Sequence, residues 1–194
     1  MQSDDHDPNR DVVGHDDPQE SCSERNTSAK LARHTTNDFG IPITVYETAI
    51  ADSDGSVYVP HPKLLQLAAA VYRCTLPQRL NGKEMKFIRK AMGVSSVQWG
   101  KEIHANNSTL SRWEADKQPI SASSEKLLRL TAVASMYTDA PGIEIDWREL
   151  SRMILRGFAV ADKFQEMGFI LCRYRKKELY SDMERQYIYQ STSK

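Results

Sequence analysis

The spacing of apolar positions changes several times along the chain, and each change marks an element. Residues 1–38 carry few: Val12, Val13 and Leu31 stand among Asp, Ser, Asn, His and Arg. Such a stretch cannot bury enough surface to offset the entropy of ordering, and it predicts a disordered tail. Order is expected from Phe39. Ile41–Ile50 is β-branched and aromatic, Asp52–Gly55 is a turn signal, and Ser56–Val59 is β-branched again. Together they predict a β-hairpin with Asp54-Gly55 in its turn. Two strands do not stand alone, so the hairpin needs a further strand or a helix. Pro60 and Pro62 end the second strand, and Pro62 suits a first helical turn. Leu64, Leu65, Ala68, Val71 and Tyr72 then fall at helical spacing. That helix should stop near Cys74, ahead of Pro77.

From Asn81 the pattern is helical. Asn81 with Glu84 is a cap-and-box start. Met85, Phe87, Ile88 and Met92 form the inner face, Lys83, Lys86, Arg89 and Lys90 the outer, and Gly93 the stop. Two short helical patterns follow, around a four-residue break at His104–Asn107. The first, Ser96 to Ile103, is capped by Ser95 and carries Val94, Trp99, Gly100 and Ile103. The second, Asn107 to about Glu114, is capped by Asn106 and carries Leu110 and Trp113. Trp99, Ile103, Leu110 and Trp113 read as core. His104 stands where a left-handed turn residue is expected. Ser121 or Ser123 opens a longer helix with Leu127, Leu128, Leu130, Val133 and Met136 on its core side. Asp146–Glu149 opens another, with Leu150, Met153 and Ile154 inside and Gly157 as its stop. Gly168–Arg175 has strand character, and Arg185–Lys194 is polar with Tyr187 and Tyr189.

The 194 residues suffice for one domain with accessories or two small ones. The pattern divides the chain into a tail (1–38), a hairpin-and-helix accessory (39–78), a helical domain (79–137) and a C-terminal extension (138–194). The formal charge of zero hides a split: residues 1–40 have a net −5 and residues 79–130 a net +5. A basic reading domain with an acidic tail fits that asymmetry. Cys22, Cys74 and Cys172 are far apart, with no C-x-x-C pair, which argues against a zinc ribbon or a disulfide framework and suits a reducing cytoplasm. No apolar run approaches the roughly 18 residues of a membrane span. His6, His15, His34, His61 and His104 lack ligand spacing, so no metal or other cofactor is expected. No nucleophile elbow, phosphate-binding loop or Cys/His pair suggests catalysis, and the chain reads as a non-enzyme.

The second short helix is poor in apolar residues and rich in amide, hydroxyl and guanidinium groups, as a groove-facing helix would be. Through Arg89, Gly93, Ser95, Gly100, Ile103, Asn106–Trp113 and Glu114, residues 81–136 resemble the Cro/repressor-type (XRE) helix-turn-helix regulators. NGKEMKFIRKAMG and SEKLLRL resemble a narrower group that includes antitoxins of toxin–antitoxin operons. The resemblance implies a mainly α, lambda-repressor-like core, flanked by the hairpin-plus-helix and an α/β extension. It implies a DNA-binding surface from Ser95, Ser96, Lys101, Asn106, Asn107, Ser108, Thr109, Ser111, Arg112 and Lys117. Asn107 and Ser108 would face bases, Asn pairing with adenine. Thr109 would touch a thymine methyl or a phosphate, and Arg112 a guanine or a phosphate. Ser95, Ser96, Lys101, Arg112 and Lys117 would meet phosphates. Arg89 and Glu114 would pair structurally. The sequence departs from the family at Ser96 (commonly Gln), His104 (commonly Gly) and Trp99 (commonly Leu). The implied function is transcriptional regulation, most simply repression, by a homodimer on a double-stranded operator with inverted repeats. The alternative is an antitoxin whose residues 41–76 hold a toxin.

Overall fold

The computed structural model describes residues 29–160, 166–175 and 185–192. Among these the order of elements is β1 (Ala29–Lys30), β2 (Arg33–Thr36), β3 (Ile43–Tyr46), β4 (Ile50–Ala51), β5 (Val57–Tyr58), α1 (Pro62–Thr75), α2 (Gly82–Ala91), α3 (Ser96–Glu102), α4 (Asn107–Glu114), α5 (Ala122–Met136), α6 (Trp147–Arg156), β6 (Gly168–Arg175) and β7 (Arg185–Ser191).

The β-branched run at 41–50 does not form one arm of a simple hairpin. The chain bends at Glu47, whose φ is 49°. Thr48 fixes the bend: its hydroxyl donates to Tyr46 O (2.8 Å) and accepts from Leu171 N (3.1 Å). The two halves of the run therefore enter different sheets. β4 pairs antiparallel with β5, Ile50 opposite Tyr58, across a turn in which Gly55 has φ 83°. β1 completes that three-stranded sheet. β3 instead lies inside a four-stranded sheet of order β2-β3-β6-β7. It runs antiparallel to β2, Val45 opposite His34, and parallel to β6, Val45 opposite Phe169. Flanked on both edges, β3 buries Ile43 and Val45 completely.

A mainly α, lambda-repressor-like fold is overturned by these sheets. The described residues form an α/β mix of six α-helices and seven strands in two sheets. Residues 29–38, assigned by composition to a disordered tail, contribute β1 and β2. Residues 1–28, with the rest of that acidic tail and Cys22, lie outside the described residues. The polar end of the chain supplies β7, whose register with β6 sets Tyr189 opposite Leu171. The accessory before the helices and the extension after them thus share one sheet.

α1 joins this sheet to the helices. Pro62 starts it, and its run of Ala68, Ala69 and Ala70 is buried where it packs against α5, α2 and β7. At its C-terminus two buried guanidiniums, those of Arg129 and Arg73, bond carbonyls of the last turn and of the connection that follows it, and Arg129 sits at the end of the helix dipole that favours a cation. Arg129 of α5 donates to Cys74 O (3.1 Å), Leu76 O (2.6 Å) and Gln78 O. Its guanidinium lies 3.9 Å over the Phe158 ring. Burial pulls the Arg129 pKa below its ordinary value, with Glu125 among the groups acting against that. Glu125 also accepts from Leu80 N (2.8 Å) and pairs with Arg79 (3.4 Å). Arg73 pairs with Glu84 through two hydrogen bonds (2.6 and 2.9 Å). This network fixes the 76–81 connection and hence the placing of α2 against α1. No helix among the described residues is long and apolar enough to cross a membrane.

Candidate nucleic-acid interface

α2 is built by the capping box read from the sequence: Asn81 Oδ1 accepts from Glu84 N (2.9 Å) and Glu84 accepts from Asn81 N (2.9 Å). Its N-terminus closes tightly on the end of α4. A Cβ at Gly82 would stand 2.3 Å from Trp113 O, and Gly82 N donates to Asp116 Oδ1 at 2.5 Å. At the other end of α2, Arg89 grips Glu114 (2.6 and 3.1 Å) and donates to Val94 O (2.9 Å). The expected Arg89–Glu114 pair is therefore present, and it ties the C-terminal end of α4 to α2.

α3 and α4 meet at a turn set by three residues. Gly100 allows α3 to approach the turn, since a Cβ there would lie 2.7 Å from Ala105 O. His104 takes φ 54° and is exposed, as a turn residue with no core role. Asn106 caps α4, accepting from Thr109 N at 2.7 Å. Ser95 caps α3 in the same way, accepting from Gln98 N at 3.1 Å. Trp99, Ile103, Leu110 and Trp113 are buried, so the core reading of this face holds. The Trp99 side chain is fully buried.

With its apolar side committed, α4 presents the rest outward. Asn106, Asn107, Ser108, Ser111 and Arg112 are exposed, and Thr109 is half-buried. Among the described residues the side chains of Asn107, Ser111 and Arg112 have no polar partner. Ser108 differs: its hydroxyl donates to Asn106 Oδ1 at 2.7 Å, which leaves its oxygen as an acceptor. Asn107 and Ser111 line a cleft of about 220 Å³ with Ser96, Leu110, Glu114, Ala115 and Lys86. Ser95, Lys101, Asn106, Ser108, Thr109, Arg112 and Lys117 are not among its walls; Ser95, Lys101 and Lys117 are exposed.

Two residues of this surface were not singled out by sequence. Lys86 counted only as one of four outer charges on α2, yet the fold sets it beside Ser96 and Asn107. Its signal was its helical phase, opposite Met85 and Ile88, but the neighbour it faces comes from another helix. Asp116 takes φ 55° to reach Gly82 N and so ties down the loop that carries Lys117. Comparison of the chain with protein-family models, curated proteins and solved structures returned no match.

Proposed function

We propose that the protein is a sequence-specific, cytoplasmic DNA-binding regulator that reads the major groove with α4. The observation that carries this is the division of α4 itself. Leu110 and Trp113 are buried, while Asn107, Ser111 and Arg112 stand exposed with unused donors and acceptors. An eight-residue helix is about 12 Å long and enters a groove about 12 Å wide. In this reading Asn107 bonds adenine through N6 and N7, and Arg112 bonds guanine or a phosphate. Ser108, with its proton engaged by Asn106, accepts from an amino group of a base. Lys86, Lys101 and Lys117 meet phosphates, with Ser95 and Ser96 beside them. The manner of reading is that of the Cro/repressor-type regulators that residues 81–136 resemble. It also implies a dimer on half-sites about 34 Å apart, or a multiple of that, and repression by occupying a promoter.

The antitoxin alternative assigned toxin contact to residues 41–76. There Ile43, Val45, Leu65 and Val71 are buried inside the molecule, and the large apolar side chains left exposed are Val57 and Tyr58, so the α4 surface is the better supported. The test is selection of duplex DNA from a random pool by the full chain. Enrichment of an inverted repeat is the expected result; a pool that stays random after several rounds would sink the reading.

A further inference from the structure

We propose that the outer face of α5 and α6 joins two copies of this chain about a two-fold axis, with the two α6 helices antiparallel. The starting point is an apolar strip that the fold leaves outside. Leu127 and Leu130, read from sequence as core, are 42 % and 45 % exposed. On α6 Trp147 is 52 % exposed and Leu155 80 %. Contacts near both ends of α6 bring its apolar residues alongside those of α5. Tyr137, just past α5, stacks edge-on with Trp147, ring centroids 5.5 Å apart, and Lys126 Nζ at the start of α5 reaches Leu155 O at 3.5 Å. Single exposed leucines are ordinary, but a connected strip holding a tryptophan marks a contact surface.

The charges around the strip select the occupant. Close in sequence to Tyr137 and Trp147 are the exposed Asp139, Glu144 and Asp146, the last of which also caps α6 by accepting from Arg148 N and Glu149 N. Beside Leu155 stand Lys126, Arg152 and Arg156. Arg148 and Glu149 follow Trp147 in the first turn of α6, leaving that end net acidic, and Glu149 is paired with Arg152 at 3.3 Å. The ten residues of α6 separate the ends by about 15 Å, more than the Debye length at physiological salt. A partner of uniform sign meets repulsion at one end. A second copy laid antiparallel sets each acidic end on a basic end and strip on strip. That self-complementarity is what a two-fold interface requires.

The proposal deepens the dimer of the DNA-binding reading, but its test uses no DNA, so the two fail separately. The full chain is sedimented alone, as Arg152→Glu/Arg156→Glu, as Asp139→Lys/Glu144→Lys, and as an equimolar mixture of the two variants. All four substituted positions are exposed, and circular dichroism checks the fold of each variant. The wild type is expected to be a dimer, each variant to associate at least about tenfold more weakly, and the mixture to recover the dimer. Leu155→Glu, which changes no charged end residue, is expected to be monomeric as well. A wild type that is monomeric at about 100 µM, or variants as dimeric as the wild type, would place the contact elsewhere or nowhere. A mixture that stays monomeric would overturn the antiparallel arrangement.

Discussion

Gly100 shows how one residue sets the geometry of the α3–α4 pair. It lies where α3 crosses the turn, and the group it faces is a backbone carbonyl, Ala105 O, at 2.7 Å from any added Cβ. Backbone has no rotamer to escape into, so Gly100→Ala is expected to destabilise the fold by about 1–3 kcal/mol and to weaken DNA binding further by tilting α4. Urea denaturation measures the first effect; an unchanged midpoint would mean the two helices can slide apart freely. Cys74 gives a residue-scale prediction of another kind. Burial pushes its thiol up from 9.0 to about 11, with Arg129 and Arg73 pulling the other way. In the unfolded chain the thiol loses its proton near pH 9, while the folded chain keeps it until about pH 11. Its contribution is therefore complete below about pH 9 and is lost as pH rises from there. At pH 10 the wild type is expected to have lost about 1 kcal/mol that the Cys74→Ala variant keeps, relative to each protein at pH 8. Denaturant midpoints at the two pH values check it, and parallel losses in both proteins would contradict it.

At the scale of elements, the helices were legible because their signals are local. The Asn81 capping box, the Ser95 and Asn106 caps, and the positive φ of His104 depend on neighbours within a few residues. α4 was read with the ends it has. Among the strands, Gly168–Arg175 is legible with the bounds it has, while Arg33–Thr36 and Arg185–Ser191 are too polar to announce themselves, and nothing local signals that Val45 will lie opposite Phe169 in a parallel pair. Leu127 and Leu130 were misread because α5 has apolar residues on two sides, and sequence does not say which side meets α1. The buried network at the end of α1 was equally silent, since the hydrogen bonds that join residues 73–80 to residues 120–129 span 41 to 56 positions. It yields a firm expectation. Glu125 is wholly buried between Arg79, Arg129 and Leu80 N. Glu125→Ala strands the Arg129 cation in the interior and is expected to cost about 3–5 kcal/mol. Thermal unfolding measures this, and a loss under about 1 kcal/mol would show that the network does not bind α1 to α5.

For the whole molecule, one four-stranded sheet gathers Arg33–Thr36, Ile43–Tyr46, Gly168–Arg175 and Arg185–Ser191 and packs on α1 through β7, while α1 also packs on α2, which carries α4 and through it α3. The surface that would meet DNA is thus mounted on a scaffold drawn from both ends of the described chain. The surface itself was legible in the sequence because it is one short stretch; the scaffold was not, because it is made by long-range pairing. Lys86 belongs to the same lesson: its charge was visible, but its place beside Asn107 required the fold. The central claim is that α4 reads base sequence, and binding isotherms on the duplex chosen by selection test it most directly. Asn107→Ala and Arg112→Ala are each expected to weaken specific binding by about 1–3 kcal/mol while leaving binding to unrelated DNA much less affected, and Lys86→Ala to weaken both and flatten the salt dependence. Specific binding left unchanged by Asn107→Ala together with Arg112→Ala would contradict the account.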